Sequence, residues 1–187
     1  ESLQTTCSPG DYYAQESQLV VCYQDPTHPA QHIQLQWRQL SPQPSLFMAG
    51  LELILSFEVS HATQQTSWVT RSQVDQADLM IAGHETNAPW LPITDLHEAA
   101  EPTEAHPGNL ACMVLCRFPK TEVSYVEMTS PTGASLTSQR STKPDQYSWG
   151  LRLPVDELEK GVILRRRLQG IFLPRKHDTT LAWKAYQ

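Results

Sequence analysis

Apolar and polar residues alternate along much of this chain with a period of two. In "HIQLQWRQL", Ile33, Leu35 and Trp37 fall on one face and Gln34, Gln36 and Arg38 on the other, the signature of a strand with one buried and one wet side. In "GLELILSFEV", Leu51, Leu53, Leu55, Phe57 and Val59 alternate with Glu52, Ile54, Ser56 and Glu58. A helix would scatter those five apolar side chains around its circumference, whereas a strand gathers them. "QLVVCY", "DLMIAG", "LACMVLCRF", "TEVSYVEMTS", "YSWGLRL" and "VILRRRLQGIFL" read as further strands, separated by turns such as "QDPTHP", "SPQPS" and "PTG".

The weaker segments complete the prediction. Residues 1–17 read as an irregular N-terminal segment, Trp68 and Val69 as a strand, and Ser72 as the cap of one helical turn. Residues 133–145 form a Ser/Thr-rich loop or irregular edge strand. "PVDELEKG", from Pro154 to Gly161, reads as one or two helical turns, and "TTLAWKAYQ" as a closing strand. About nine strands without crossover helices predict antiparallel pairing. The expected fold is all-β: a single β-sandwich over residues 1–187, with one or two short helices and a long acidic loop over 84–109.

Composition narrows the class. Apolar residues make up 40% and charged residues 18%, with 17 glutamines, so the polarity of this folded chain is carried mainly by amides and hydroxyls. No apolar run approaches the roughly 18 residues of a membrane span, so no transmembrane segment is expected. The net charge of −6 is unevenly placed: residues 160–187 hold seven basic residues and one acidic residue.

The cysteines are Cys7, Cys22, Cys112 and Cys116. An even count in an amide-rich domain favours an oxidising, extracytoplasmic compartment. A Cys7–Cys22 disulfide would close a 16-residue loop, worth roughly 3 kcal/mol in the chain-entropy model. Cys112 and Cys116, four residues apart on a strand, would be separated by about 13 Å, beyond the roughly 7 Å reach of a disulfide.

Three features could carry chemistry. The stretch 84–109 places three histidines and five carboxylates in 26 residues without a lysine or arginine. His84, His97, Glu101 and His106 are its weak metal candidates, and only His97 and Glu101 have ligand-like spacing, one helical turn apart. No HExxH or calcium-loop pattern occurs. Asp95 and Glu98 form a capping box and Pro102 a helix stop, so a solvated surface loop explains the same residues. Trp90, within "NAPWLP", and Trp149 could stack on a sugar ring if exposed; Trp90 could equally pin its loop to the sandwich. Arg165 and Arg167 point the same way on a strand while Arg166 points the other way. They form a candidate binding pair, or else partner the surplus carboxylates or guard an edge strand.

Nucleic acid is excluded as a partner by the acidity of the chain and the lack of basic–aromatic interleaving. No nucleophile elbow, phosphate loop or dinucleotide fingerprint is present. The sequence therefore predicts a non-catalytic, cofactor-free, extracytoplasmic module that recognises another protein. The alternatives are a carbohydrate-binding sandwich using exposed tryptophans and a metal-dependent hydrolase built on the acidic loop.

Overall fold

The computed structural model describes residues 8–25, 28–59, 66–83, 89–92, 111–130, 135–140, 146–155 and 159–187. In chain order the strands are β1 (Ser8–Gln15), β2 (Gln18–Asp25), β3 (His28–Leu40), β4 (Ala49–Val59), β5 (Thr66–Val69), β6 (Ser72–Asp75) and β7 (Asp78–Gly83). They continue as β8 (Leu91–Pro92), β9 (Ala111–Arg117), β10 (Val123–Thr129), β11 (Ser135–Arg140), β12 (Gln146–Val155) and β13 (Ile163–Pro174), and the helix α1 (Asp178–Tyr186) follows.

All pairings are antiparallel. Nine strands form one sheet in the order β1-β2-β3-β4-β13-β10-β9-β7-β8. The second sheet is centred on β12, which pairs with β11 on one side and with β5 and β6, end to end, on the other. The expected mainly antiparallel, sandwich-like all-β fold is therefore present, with one helix and thirteen strands among the described residues.

The two faces of the large sheet are covered differently. On the sandwich side, Leu79, Val114 and Cys116 pack with Trp149 and Ala77, reinforced by Val74, Tyr125 and Tyr147. On the helix side, Met113, Leu115, Val126, Met128, Ile171 and Leu173 pack under Ala182 and Trp183 of α1, Phe47 and Trp90. Strand β9 is thus buried on both faces, which is why "LACMVLC" is a continuous apolar run. At β3 and β4 the buried apolar side chains Ile33, Leu55 and Phe57 lie on the sandwich side, and the sequence alternates. Gly170 lies opposite Glu127, and a Cβ on it would come within 2.3 Å of the Tyr125 hydroxyl, so the tyrosine ring lies across a position that must carry no side chain.

The helix is tied down by charge. Asp178 is buried and accepts hydrogen bonds from Arg117 Nε at 2.9 Å, Arg117 Nη2 at 2.8 Å, Ser124 Oγ at 2.7 Å and the Thr179 N–H at 2.8 Å. Burial pushes the Asp178 carboxyl up, but the Arg117 fork and the Ser124 hydroxyl outweigh it and hold the group below the usual carboxylate range.

Four expectations need correction. "TTLAWKAYQ" is helical: Leu181, Ala182, Ala185 and Tyr186 share the face packed on the core, a spacing of 3.6 that outweighs the β-branched Thr179 and Thr180. Residues 8–15, within the segment expected to be irregular, form β1, joined to β2 by the two-residue turn Glu16–Ser17 with Glu16 at φ 48. Ser72 begins β6 and caps no helix. Pro154 lies within β12, paired with Ser67, because the strand continues to Val155 before the chain turns at Gly161, φ 78.

Asp178→Asn should destabilise the fold by about 2–4 kcal/mol at neutral pH, by leaving Arg117 half-buried without its anion. Because the folded carboxyl titrates below its unfolded value of about 3.9, that contribution is present above pH 4 and lost as pH falls through the folded pKa. Urea unfolding of wild type and variant should show a gap that narrows in acid; a gap constant with pH would contradict the fork.

Candidate functional site

Where α1 does not reach, no second helix covers this side of the large sheet among the described residues, and the strand register arranges its side chains in rows. Asp11 of β1 pairs with Cys22 of β2, Cys22 with Gln34 of β3, Gln34 with Ser56 of β4, and Ser56 with Arg165 of β13. The adjacent row places His32 opposite Glu58 and Glu58 opposite Ile163. On the other flank, Tyr13 lies opposite Val20, then Gln36, Ile54 and Arg167. Alternation along each strand sends all of these to one face, and neighbouring strands lie about 4.8 Å apart.

These rows enclose two adjoining hollows. One, of about 430 Å³, is lined by residues that include Asp11, Cys22, His32, Gln34, Ser56, Glu58 and Arg165. The other, of about 460 Å³, adds Gln36, Ile54, Ser130, Arg166 and Arg167 and shares Gln34, Ser56 and Arg165 with the first. Together they form one polar groove. Tyr13, 54% exposed, stands on the same face beside Asp11. Gln36 donates to Gln18 Oε1 at 2.7 Å, which fixes an amide along the groove's flank.

The groove ends at a charge cluster. Glu52, with no exposed surface, accepts from Arg38 and from Gln169 Nε2 at 3.0 Å, and forms an ion pair with Arg167, whose Nε lies 3.1 Å from it. Both arginine stems therefore lie along the sheet and their heads stay partly in solvent.

A second polar cluster sits between the sheets. Glu127 is buried and accepts from Ser72 Oγ at 2.7 Å. Burial pushes its carboxyl pKa up; Ser72 and the facing Trp149 and Tyr125 side chains pull it partly back. Around it, burial raises the Tyr125 hydroxyl and the Cys116 thiol, with the Glu127 charge adding to both.

Several residues singled out from sequence do other work. Trp149 is 3% exposed and lies between the sheets. Trp90 is half-buried and meets Trp183 edge-on, ring centroids 6.4 Å apart, so it pins its segment to the core. Arg165 and Arg167 do share a face, and it is the face of the groove. Arg167 partners a carboxylate as expected; β13 is an interior strand of the sheet, flanked by β4 and, from Leu168 onward, by β10. Cys22 is a free thiol, and its expected partner Cys7 lies outside the described residues. His84, His97, Glu101 and His106 lie outside them too. Among the described residues no three His, Cys, Asp or Glu side chains converge on a metal position, and no helix is long and apolar enough to cross a membrane. Asp11, His32, Gln34, Ser56 and Glu58 escaped the sequence reading. Their only signal was a run of polar positions alternating with core residues in β3 and β4.

No protein-family model matches the sequence, and no curated protein matches it. Solved structures do. A candidate aldose 1-epimerase from Escherichia coli K12 has a TM-score of 0.54 at 10% identity, with 88% of this chain and 69% of that one covered. A galactose mutarotase-like protein from Lactobacillus casei gives 0.53 at 10% identity, with 87% and 72% covered. The Slr1438 protein from Synechocystis gives 0.55 at 7%, with 90% and 66% covered. The likeness is one of fold. The chain spans only 22% of the heparan sulfate lyase HepC from Pedobacter heparinus, which it matches at a TM-score of 0.49 and 8% identity.

Thiol mapping tests the placement of the site. Cys22 lines the open groove, whereas Cys112 and Cys116 are fully buried with thiols pushed up by burial. Iodoacetamide on the native protein should alkylate Cys22 roughly 100-fold faster than Cys112 or Cys116; equal rates would mean that the groove is closed or the sandwich core open.

Proposed function

We propose that the groove on the open half of the large sheet binds a carbohydrate. The observation that carries this reading is the row Asp11–Cys22–Gln34–Ser56–Arg165, flanked by His32 and Glu58: donors and acceptors at strand spacing on a rigid sheet. A sugar ring carries hydroxyls that both donate and accept, and carboxylate, amide and guanidinium groups match them in pairs. The exposed Tyr13 ring supplies an apolar face for the C–H side of a sugar. Each hollow falls in the volume range of small-molecule sites, roughly 300–1,000 Å³. The fold neighbours described by aldose and galactose chemistry lend the same reading support.

The recognition therefore uses planar polar side chains fixed on strands, with Tyr13 in the place of the tryptophans first expected. A narrow, hydrogen-bonding groove suits a saccharide better than the flat apolar patch of a protein-recognition module.

Isothermal titration against a panel of neutral and acidic oligosaccharides tests the proposal. At least one should bind, and His32→Ala or Gln34→Ala should weaken it about tenfold, the equivalent of ~1.4 kcal/mol, while Lys184→Ala on the exposed face of α1 leaves it unchanged. The bound saccharide should also slow alkylation of Cys22. If no saccharide binds, or if binding is indifferent to His32 and Gln34, the proposal fails.

A further inference from the structure

Resting on the reading of the groove as a saccharide site, we infer that its ligand is an acidic sugar whose oxyanion substituent is taken by Arg165 and Arg167. The groove is electrically polarised. Across the strands, the β1 edge carries Asp11 and the β13 side carries Arg165 and Arg167, with Arg38 and the buried Glu52 beside Arg167, while His32 and Glu58 form the row alongside, Glu58 diagonal to Arg165. Among the described residues, then, the β13 side carries Arg165, Arg167 and Arg38 beside one buried anion, which Arg38 and Arg167 already engage. Glu52 pairs with two arginines and accepts from Gln169, and Arg165 is not among its partners.

The Arg165 guanidinium makes no ion pair or hydrogen bond with the described residues, although it is exposed beside Ser56 and Gln34 and lines both hollows. A neutral sugar would leave that guanidinium and the surplus charge of Arg167 unanswered. A carboxylate or sulfate ester offers the planar or tripodal oxygens that a guanidinium fork binds through paired hydrogen bonds. The spacing agrees, since Arg165 and Arg167 are two residues apart on one strand face, about 6.6 Å, and Arg167 is steered into the groove by its Nε contact with Glu52. The hydroxyl-bearing ring would then extend along Ser56 and Gln34 toward Cys22 and Asp11, where the carboxylate accepts from hydroxyl groups and repels a second anion. A polarised groove of this kind selects direction as well as charge.

The test compares an oligogalacturonide, its carboxyl-reduced neutral counterpart, and an O-sulfated galactan oligosaccharide with its desulfated form, by titration calorimetry on the wild-type chain and on Arg165→Gln. An acidic chain should bind at least tenfold more tightly than its neutral counterpart, and Arg165→Gln should erase that difference while leaving the neutral chain's affinity in place. Whichever oxyanion gives the larger ratio identifies the substituent. Arg165→Lys should recover only part of the difference, and melting temperatures of both variants should match wild type because Arg165 holds no structural contact. Equal binding of acidic and neutral chains would overturn the inference and leave the saccharide reading intact. Binding of no saccharide would overturn both. Equal affinity for a DNA oligonucleotide and an acidic sugar, both lost in Arg165→Gln, would also overturn it by showing a charge patch without sugar recognition.

Discussion

A carboxylate with no exposed surface, Glu52, stands at the line where the large sheet changes character. Isolated in an apolar setting an ionised carboxyl would be too costly to keep; here Arg38, Arg167 and Gln169 converge on it. The rows on one side of Glu52 run through Gly50, Ile171, Val126 and Leu115 into the core beneath α1. The rows on the other side run through Ile54, Ser56 and Glu58 and stay open. Satisfying one buried charge thus fixes two arginines on the helix side of the sheet and marks where helix cover ends and the groove begins.

The cover itself depends on a second ion pair. The Arg117 fork on Asp178, reinforced by Ser124, anchors the first turn of a nine-residue helix to β9 and β10. That helix is too short to be stable alone, so it exists because Ala182 and Trp183 are buried and Asp178 is paired. Its length also limits what it shields: Met113, Leu115 and Ile171 lie beneath it, and the polar rows of β1 to β4 do not. On the sandwich side, the Glu127–Ser72 hydrogen bond links β10 to β6 and ties the two sheets across an otherwise apolar interface.

Much of the fold was legible, and for identifiable reasons. Strands β3 and β4 carry their burial pattern in the alternation of Leu35, Leu55 and Phe57 with Gln34, Ser56 and Glu58, and β9 announced burial on both faces through an unbroken apolar run. The common orientation of Arg165 and Arg167 follows from period two alone. What stayed hidden is non-local or depends on competing local rules. β1 leads into a hairpin turn with neither Asn-Gly nor Asp-Gly, and α1 hides its helical spacing behind two threonines. The groove could not be read because its residues come from positions 11, 22, 32, 34, 56, 58 and 165, and only the register of five strands sets them side by side. Trp149 shows the limit of residue-type reasoning: an aromatic side chain chosen as a surface platform became the filling between two sheets.

In the proposed reading, a saccharide occupies the groove on the helix side of the large sheet. Backbone amide chemical-shift mapping during titration with the oligosaccharide of highest affinity tests it most directly. The largest shifts should fall at Asp11, Cys22, His32, Gln34, Ser56, Glu58 and Arg165, with α1 and the β12 sheet unmoved. Shifts centred on Trp149, Ser72 and Tyr125 between the sheets, or on α1, would contradict it.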